Sequence, residues 1–219
     1  MVFRLHLVRH GEAIHNPNHN TTILDPPLTS KGIQQSIKLN EDFPYHRNVG
    51  LVIASPLRRT LQTAIIGFSN CLDGKYHNMN HLPKQPSSTS GSAQLSLEPE
   101  IQAHSSRPCD TGSAVECLQA EFPGLPWSEM DLGDDIYPDK EGKYASDGES
   151  VEKRGERVQG LLFRAFRRLE GTCREDIVVV SHGGFLKYIS GHREGIPNAR
   201  WRSFFMRFDG DGRIVARPI

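Results

Sequence analysis

The sequence predicts an α/β fold: a three-layer α/β/α sandwich with a mostly parallel central sheet and an inserted lid region. Three short, continuous apolar runs that end in Gly- or Pro-containing loops indicate strands buried on both faces, as in a parallel sheet covered by helices. Segments with helical periodicity lie between these runs, which is typical of a layered α/β domain. A length of 219 residues allows one domain with insertions or two small domains. We favour a single domain over residues 1–219.

The apolar runs cover residues 2–8, 51–54 and 176–180. Each run enters a loop directly, and these loops read Arg9-His10-Gly11, Ser55-Pro56 and Ser181-His182-Gly183-Gly184. Two further strands are expected at the end of the chain, where residues 203–208 and 213–216 flank Asp209-Gly210-Asp211-Gly212. That composition indicates a hairpin turn.

Four helices are expected, and the last of them begins near Phe185, after the third apolar run. One runs from Ser30 to about Phe43, and a second begins at Pro56 with Ser55 as its N-cap. The longest begins near Glu149, with Ser146 three residues earlier in a capping-box arrangement. Its buried face follows the i, i+3, i+4 rhythm of an amphipathic helix through Val158, Leu161, Leu162, Ala165, Phe166 and Leu169.

Two segments do not fit the sheet. Residues near 82–96 are rich in Ser and Pro and poor in apolar side chains, and such a composition predicts a mobile insert. Residues near 105–148 mix Pro, Gly and Asp with isolated aromatic side chains, among them Trp127 and Tyr137. We expect this second insert to form a lid on the substrate side.

Composition excludes several classes of protein. The 26 Lys and Arg residues balance 26 Asp and Glu residues, so the broad basic surface of a nucleic-acid-binding protein is missing. No run of about 18 apolar residues is present, so a membrane-spanning helix of ordinary length is not expected. The N-terminal residues do not show the pattern of a secretory signal. The four cysteines are scattered without a C-x-x-C pair, so neither a zinc knuckle nor a disulfide framework is indicated. We expect a cytoplasmic or nuclear protein that binds neither nucleic acid nor membrane.

The strongest chemical signal is a pair of strand-then-His-Gly junctions, at His10 and His182. Residues just past the carboxyl ends of parallel strands line the ligand crevice of an open sheet, so two distant histidines can meet there. The glycine after each histidine lets backbone N–H groups approach an anion, and Gly183 also lies near the positive end of a helix. The pattern predicts a phosphate pocket.

Phosphoryl transfer requires a nucleophile, cationic donors for the phosphate oxygens and an acid for the departing alkoxide. Neutral His10 is a candidate nucleophile, and Arg9 and Arg59 offer planar guanidinium groups that match phosphate. His182 is a candidate donor to the transferring group. A glutamate is expected to serve as the acid.

Five short motifs resemble those of the histidine phosphatase superfamily, the phosphoglycerate mutase-like proteins. In chain order they are Leu7-Val8-Arg9-His10-Gly11-Glu12 with His15-Asn16, Leu28-Thr29-Ser30-Lys31-Gly32, Ser55-Pro56-Leu57-Arg58-Arg59-Thr60-Leu61-Gln62-Thr63, Gly148-Glu149-Ser150 and Ser181-His182-Gly183-Gly184. Together they reach from near the N-terminus to Gly184. Thr60 departs from the family's usual Ala. The segment Pro108-Cys109-Asp110-Thr111-Gly112 further resembles one that shapes the substrate side in small fungal members of the superfamily.

The resemblance implies a metal-independent phosphatase that works through a phosphohistidine, with no cofactor. His10 is then the nucleophile, while Arg9, Arg59, His182 and Gly183 form the phosphate pocket and Asn16 adds a polar contact. The family's acid follows the second strand–helix pair in an L-x-E context. This maps onto Glu100, with Glu98 as the second choice.

Other functions stay open at this point. A phosphoglycerate-type phosphomutase would use the same chemistry, although the family's mutases carry a longer ordered insert that shields the phosphoenzyme from water. A non-catalytic module that binds phosphorylated ligands would use the same pocket without turnover. Metal-dependent hydrolysis would need further ligands beside the two histidines, and we find none. A small phosphorylated substrate is expected, but neither its identity nor the oligomeric state follows from the sequence.

Overall fold

The structure is a computed structural model that describes residues 3–77, 92–130, 137–208 and 214–219. Its strands form one six-stranded sheet in the order β3-β2-β4-β1-β5-β6. The strands are β1 (Phe3–Arg9), β2 (Val49–Ala54), β3 (Gln94–Leu97), β4 (Asp176–Ser181), β5 (Trp201–Phe208) and β6 (Ile214–Pro218). Strands β1 to β4 pair in parallel with one another, whereas β5 is antiparallel to both of its neighbours, β1 and β6. The predicted α/β fold with a mostly parallel sheet is therefore confirmed.

Helices cover both faces of the sheet. They are α1 (Ser30–Asp42), α2 (Arg58–Gly67), α3 (Val115–Glu121), α4 (Gly148–Leu169) and α5 (Gly183–Ser190). Successive residues of β4 alternate between two apolar cores: Val178 and Val180 face α1 and α2, while Ile177 and Val179 face α4 and α5. This alternation explains why the strand is an unbroken apolar run, because each face of the sheet needs its own core.

One predicted helix start, that of α2, and one predicted N-cap, that of α4, are wrong. Helix α2 begins at Arg58 after Leu57, which makes no side-chain cap. The hydroxyl of Ser55 is instead engaged by His182 Nε2 at 3.0 Å. Helix α4 is capped by Asp147, whose carboxylate accepts from Ser150 N at 2.9 Å. Asp147 rather than Ser146 is therefore the residue that satisfies the first turn.

The two predicted inserts differ in what the structure describes. Residues 94–96 of the first belong to β3, which pairs with β2 at the edge of the sheet. Residues 82–91 lie outside the described residues. In the second insert, α3 and the short turn after it bury Leu118, Phe122 and Trp127 in the core beside β3, while residues 131–136 lie outside the described residues. The predicted C-terminal hairpin strands pair as β5 and β6, and residues 209–213 between them are also outside that range.

Candidate active site

His10 and His182 meet at the carboxyl edge of the sheet. They follow the neighbouring parallel strands β1 and β4, and their ring centroids are 5.3 Å apart. Both side chains are almost fully buried. Strand adjacency thus brings together two histidines that are 172 positions apart in the printed sequence.

The buried guanidinium of Arg59 connects the two rings. It lies in the first turn of α2, where Arg59 Nε is 3.3 Å from His10 Nε2 and Nη2 is 3.0 Å from His182 Nδ1. An arginine only donates hydrogen bonds, so both imidazole nitrogens must accept. The geometry therefore defines the neutral tautomer of each histidine.

Each ring carries its proton on the other nitrogen. His10 Nδ1 donates to Gly11 O at 2.7 Å, so the lone pair of this ring is on Nε2, where it accepts from Arg59 Nε. His182 Nε2 donates to Ser55 Oγ at 3.0 Å. A neutral imidazole with an unprotonated nitrogen is the form that can attack phosphorus.

Burial keeps both histidines neutral. It is the main cause that lowers the pKa of His10 and of His182 well below the usual value, and the charge of Arg59 lowers them further. The carbonyl of Gly11 opposes this for His10 by favouring its protonated form. The balance leaves an uncharged ring at neutral pH.

Arg9 and Gly183 form the second part of the site. Arg9 lines the cavity and donates from Nη1 to Ile196 O at 3.3 Å, while its buried Nε has no hydrogen-bond partner among the described residues. A Cβ on Gly183 would lie 3.1 Å from Arg9 Cδ. Glycine at 183 therefore leaves room for Arg9, and the Nε of Arg9 remains available to donate to an anion.

Asn16 closes a turn and orients a third histidine. Its Oδ1 accepts from Ala13 N at 2.9 Å, and its Nδ2 lies 2.9 Å from His15 Nε2. His15 Nδ1 is buried without a hydrogen-bond partner in the described part of the chain. Burial, followed by the charge of Arg59, lowers the pKa of His15 to about 4. Asn16 thus lines the cavity and also holds the neutral His15 ring in place.

These side chains surround a cavity of about 230 Å³. The lining residues are Arg9, His10, His15, Asn16, Arg59, Ala103, His104, Asp110, His182, Gly183, Gly184, Gly195 and Ile196. Every residue predicted to form the pocket, except the glutamate, lines this cavity. Sequence reasoning missed His104 and the Gly195–Ile196 pair. It placed the segment around Asp110 on the substrate side without a role for that carboxylate.

The structure does not bring Glu100 or Glu98 to the cavity. Glu100 lies in a short turn after β3, where its carboxylate pairs with Arg157 Nη2 at 3.0 Å and with Lys143 Nζ at 3.7 Å. The side chain of Glu98 accepts from Glu100 N at 2.9 Å and caps that turn. After β3, the first residue that lines the cavity is Ala103. Both glutamates come earlier in this segment and do not face the cavity.

Positive charge surrounds the cavity. Behind its wall, Lys140 Nζ donates to Ala103 O at 2.7 Å and the buried Arg154 donates to Gln102 O at 3.1 Å. Burial, followed by the charge of Arg154, lowers the pKa of Lys140 to about 7. Together with Arg9 and Arg59, these groups favour an anionic ligand.

Two other kinds of site are absent from the described residues. Within residues 3–77, 92–130, 137–208 and 214–219, no group of three or more His, Cys, Asp or Glu side chains is arranged to hold a metal ion. In the same ranges, no helix is both long and apolar enough to cross a membrane.

Comparisons with known proteins agree with this architecture. The chain is 28% identical over 146 residues to a Schizosaccharomyces pombe protein named as a probable phosphatase, covering 65% of this chain and 60% of that protein. This chain therefore spans less than two thirds of the length of that relative. It is 29% identical over 204 residues to phosphoglycerate mutase-like protein 1 of Arabidopsis thaliana, covering 83% and 68% of the two chains.

A solved structure shares the fold along nearly the whole chain. It is a mycobacterial glucosyl-3-phosphoglycerate phosphatase, with a TM-score of 0.57, 17% identity and coverage of 99% of this chain and 97% of that one. The family model of the histidine phosphatase superfamily (branch 1) matches residues 5–71 and 120–210. With that match spanning most of the sequence, this chain belongs to the histidine phosphatase superfamily.

Proposed function

We propose that the protein is a metal-independent phosphatase that hydrolyses phosphate monoesters through a phosphohistidine at His10. The observation that carries the proposal is the neutral tautomer of His10, whose unprotonated Nε2 lies beside Arg59 in the lining of an electropositive cavity. A phosphate that takes over the hydrogen bond from Arg59 Nε would free the Nε2 lone pair for attack on phosphorus. The site thus offers an unprotonated ring nitrogen, two guanidinium groups and room for a phosphate.

The reaction has two steps. In the first, His10 Nε2 attacks phosphorus, the bond from phosphorus to the ester oxygen breaks, and the departing alkoxide takes a proton. Arg9 and Arg59 hold the phosphoryl oxygens, where the charge spreads in the transition state. In the second, water attacks the phosphohistidine, His10 departs as a neutral imidazole, and inorganic phosphate is released.

The size of the cavity favours a small substrate. A volume of about 230 Å³ holds a phosphate group with a short alcohol. The mycobacterial phosphatase with the same fold is named for a small phosphate ester, which agrees with this class. We therefore propose a small phosphorylated compound as the substrate.

The test is phosphate release from 4-nitrophenyl phosphate in the presence of a chelator. Wild-type activity should survive the chelator, and His10→Ala should abolish turnover. His192→Ala is the matched control, because His192 does not line the cavity and should retain activity. Turnover by His10→Ala, or activity that disappears with chelator and returns with added metal, would contradict the proposal.

A second assay separates hydrolysis from mutase activity and from simple binding. With 3-phosphoglycerate as substrate, we expect free phosphate to accumulate. Isomer exchange without phosphate release would instead identify a phosphomutase. Stabilisation by inorganic phosphate without any turnover would identify a phospho-ligand-binding module.

A further inference from the structure

We propose that Asp110 is the proton donor and acceptor of the reaction described above, an inference that rests on the proposed function. Asp110 is the one carboxylate among the described residues that line the cavity. Glu100, the acid predicted from the sequence, lies outside the cavity and its carboxylate pairs with Arg157 and Lys143. The acid must therefore come from another segment of the chain.

Asp110 is held rigidly at the end of a short helical turn, Pro108–Asp110. Backbone hydrogen bonds anchor this turn to an N-terminal loop: Asp25 N donates to Pro108 O and Cys109 N donates to Thr21 O, each at 3.2 Å. Arg59 Nη1 donates to Cys109 O at 2.7 Å. The carboxylate thus has a fixed position relative to the arginine that contacts His10.

The contacts of the carboxylate direct it to the reacting centre. Asp110 Oδ1 accepts from Arg59 Nη2 at 3.0 Å, and the same Nη2 lies 3.0 Å from His182 Nδ1. Asp110 Oδ2 accepts from Ser105 Oγ at 2.6 Å. The side chain remains 21% exposed, so water can reach it for the second step. One guanidinium therefore holds both the nucleophile and this carboxylate.

The other titratable groups at the cavity are poor acids. Burial lowers the pKa of His104 and, to about 4, that of His15. Both rings are therefore neutral near pH 7, and a neutral imidazole gives up its proton only with difficulty. Lys140 does not line the cavity, and its ammonium group is bonded to Ala103 O.

Proton balance follows from the ionisation of the substrate. A phosphate monoester has a second pKa of about 6, so its monoanion is available near neutral pH. Asp110 accepts the proton of that monoanion and delivers it to the ester oxygen while the N–P bond forms and the P–O bond breaks. In the second step Asp110 takes a proton from the attacking water and returns it to the released phosphate. The net reaction converts an ester monoanion and water into an alcohol and dihydrogen phosphate.

Such a role has a signature that a structural role lacks. A good leaving group such as 4-nitrophenolate departs without a proton, whereas phenolate depends strongly on the acid. Removal of the acid should therefore slow phenyl phosphate much more than 4-nitrophenyl phosphate. Displacement of Arg59 would instead slow both esters alike.

The experiment measures kcat/KM for a series of substituted phenyl phosphates, from phenyl to 4-nitrophenyl. General acid catalysis contributes roughly 10²–10⁴-fold, so Asp110→Asn should lose on the order of 10²-fold or more with phenyl phosphate. Its loss with 4-nitrophenyl phosphate should be at least about tenfold smaller on the same scale. Asp110→Glu should restore part of the difference. The exposed Asp139→Asn is the matched control and should leave the whole series unchanged.

Several outcomes would overturn the inference. They are an equal loss across the series in Asp110→Asn, a selective loss in Glu100→Gln instead, or one in His104→Gln. A mutant that fails to fold is recognised by loss of thermal stabilisation by inorganic phosphate, and Asp110→Glu then supplies the comparison. A failure of the proposed function would give a different result, namely full activity in His10→Ala.

Discussion

At the scale of single residues, Arg59 is the group on which most of the site depends. It is one of the largest fully buried side chains, and its fork contacts His10, His182 and Asp110 as well as a backbone carbonyl. A lysine in its place would keep the charge and lose the planar arrangement of donors. The neighbouring Arg58 has a different task, since it pairs with Glu121 at 2.6 Å and with Asp25 at 3.5 Å.

We therefore expect Arg59→Lys to lower kcat/KM by about 10²–10³-fold, the usual effect of removing one preorganised donor to a transition-state oxygen. Steady-state kinetics with 4-nitrophenyl phosphate measure the loss. Arg58→Lys, one position away on the same helix, should stay within a few-fold of the wild type. Equal losses in the two variants would show that the guanidinium of Arg59 has no special role.

The convergence of four of these residues at one cavity is predictable from the sequence. His10, His182, Arg9 and Arg59 were predicted because residues after neighbouring parallel strands, and in the first turn of the next helix, converge at one edge of the sheet. Asp110 could not be assigned in this way. Its position depends on the path of an irregular segment and on backbone contacts with a distant loop, and neither leaves a periodic signal.

At the scale of secondary-structure elements, the strands and helices with long apolar patterns were predictable and the short ones were not. Strand β3 has four residues, of which two, Leu95 and Leu97, are buried, so its alternation is too brief to recognise beside the Ser- and Pro-rich insert. Helix α3 buries only Leu118 among its seven residues. The start of α2 was mispredicted because Ser55 hydrogen-bonds to His182 across the sheet edge rather than to its own helix.

Helix α4 offers a stability test with its own control. Gly160 lies in its interior, and an added Cβ would meet nothing closer than Arg164 Nη1 at 3.5 Å. Gly160→Ala should raise the free energy of unfolding by about 0.5–1 kcal/mol, because glycine costs that much in a helix interior. Denaturant unfolding measures the change.

Gly155 on the same helix should respond in the opposite direction. A Cβ there would lie 3.0 Å from both Cβ and O of Tyr188, where α4 packs against α5. Gly155→Ala should therefore lower stability, since a rigid backbone atom must move. If Gly155→Ala stabilises as much as Gly160→Ala, the described packing of α4 on α5 is incorrect.

At the scale of the whole molecule, buried histidines make stability depend on pH. Burial lowers the pKa of His6, His10, His182 and His15 below the value near 6.5 that each has in the unfolded chain. The unfolded chain therefore binds more protons than the folded protein as the pH falls below about 6.5. Asp25 acts in the opposite sense because burial raises its pKa, but it is one group against these four histidines and two more, His46 and His104, whose pKa burial also lowers.

We expect the free energy of unfolding to fall steadily as the pH drops from about 6.5 to 5. Inorganic phosphate should offset part of the loss, because an anion in the cavity favours the protonated forms of His10 and His182. Urea unfolding at several pH values, with and without phosphate, measures both effects. Stability that is constant or rising from pH 7 to pH 5 would contradict the burial of these rings.

The central claim is that His10 becomes covalently phosphorylated during turnover. Rapid quench with ³²P-labelled phenyl phosphate, sampled from the first turnover onward, tests it most directly. We predict a label that is stable to alkali and labile to acid, located on the peptide that contains His10 and missing from His10→Ala. Turnover with no such label, or a label on His182 or another residue, would contradict the account.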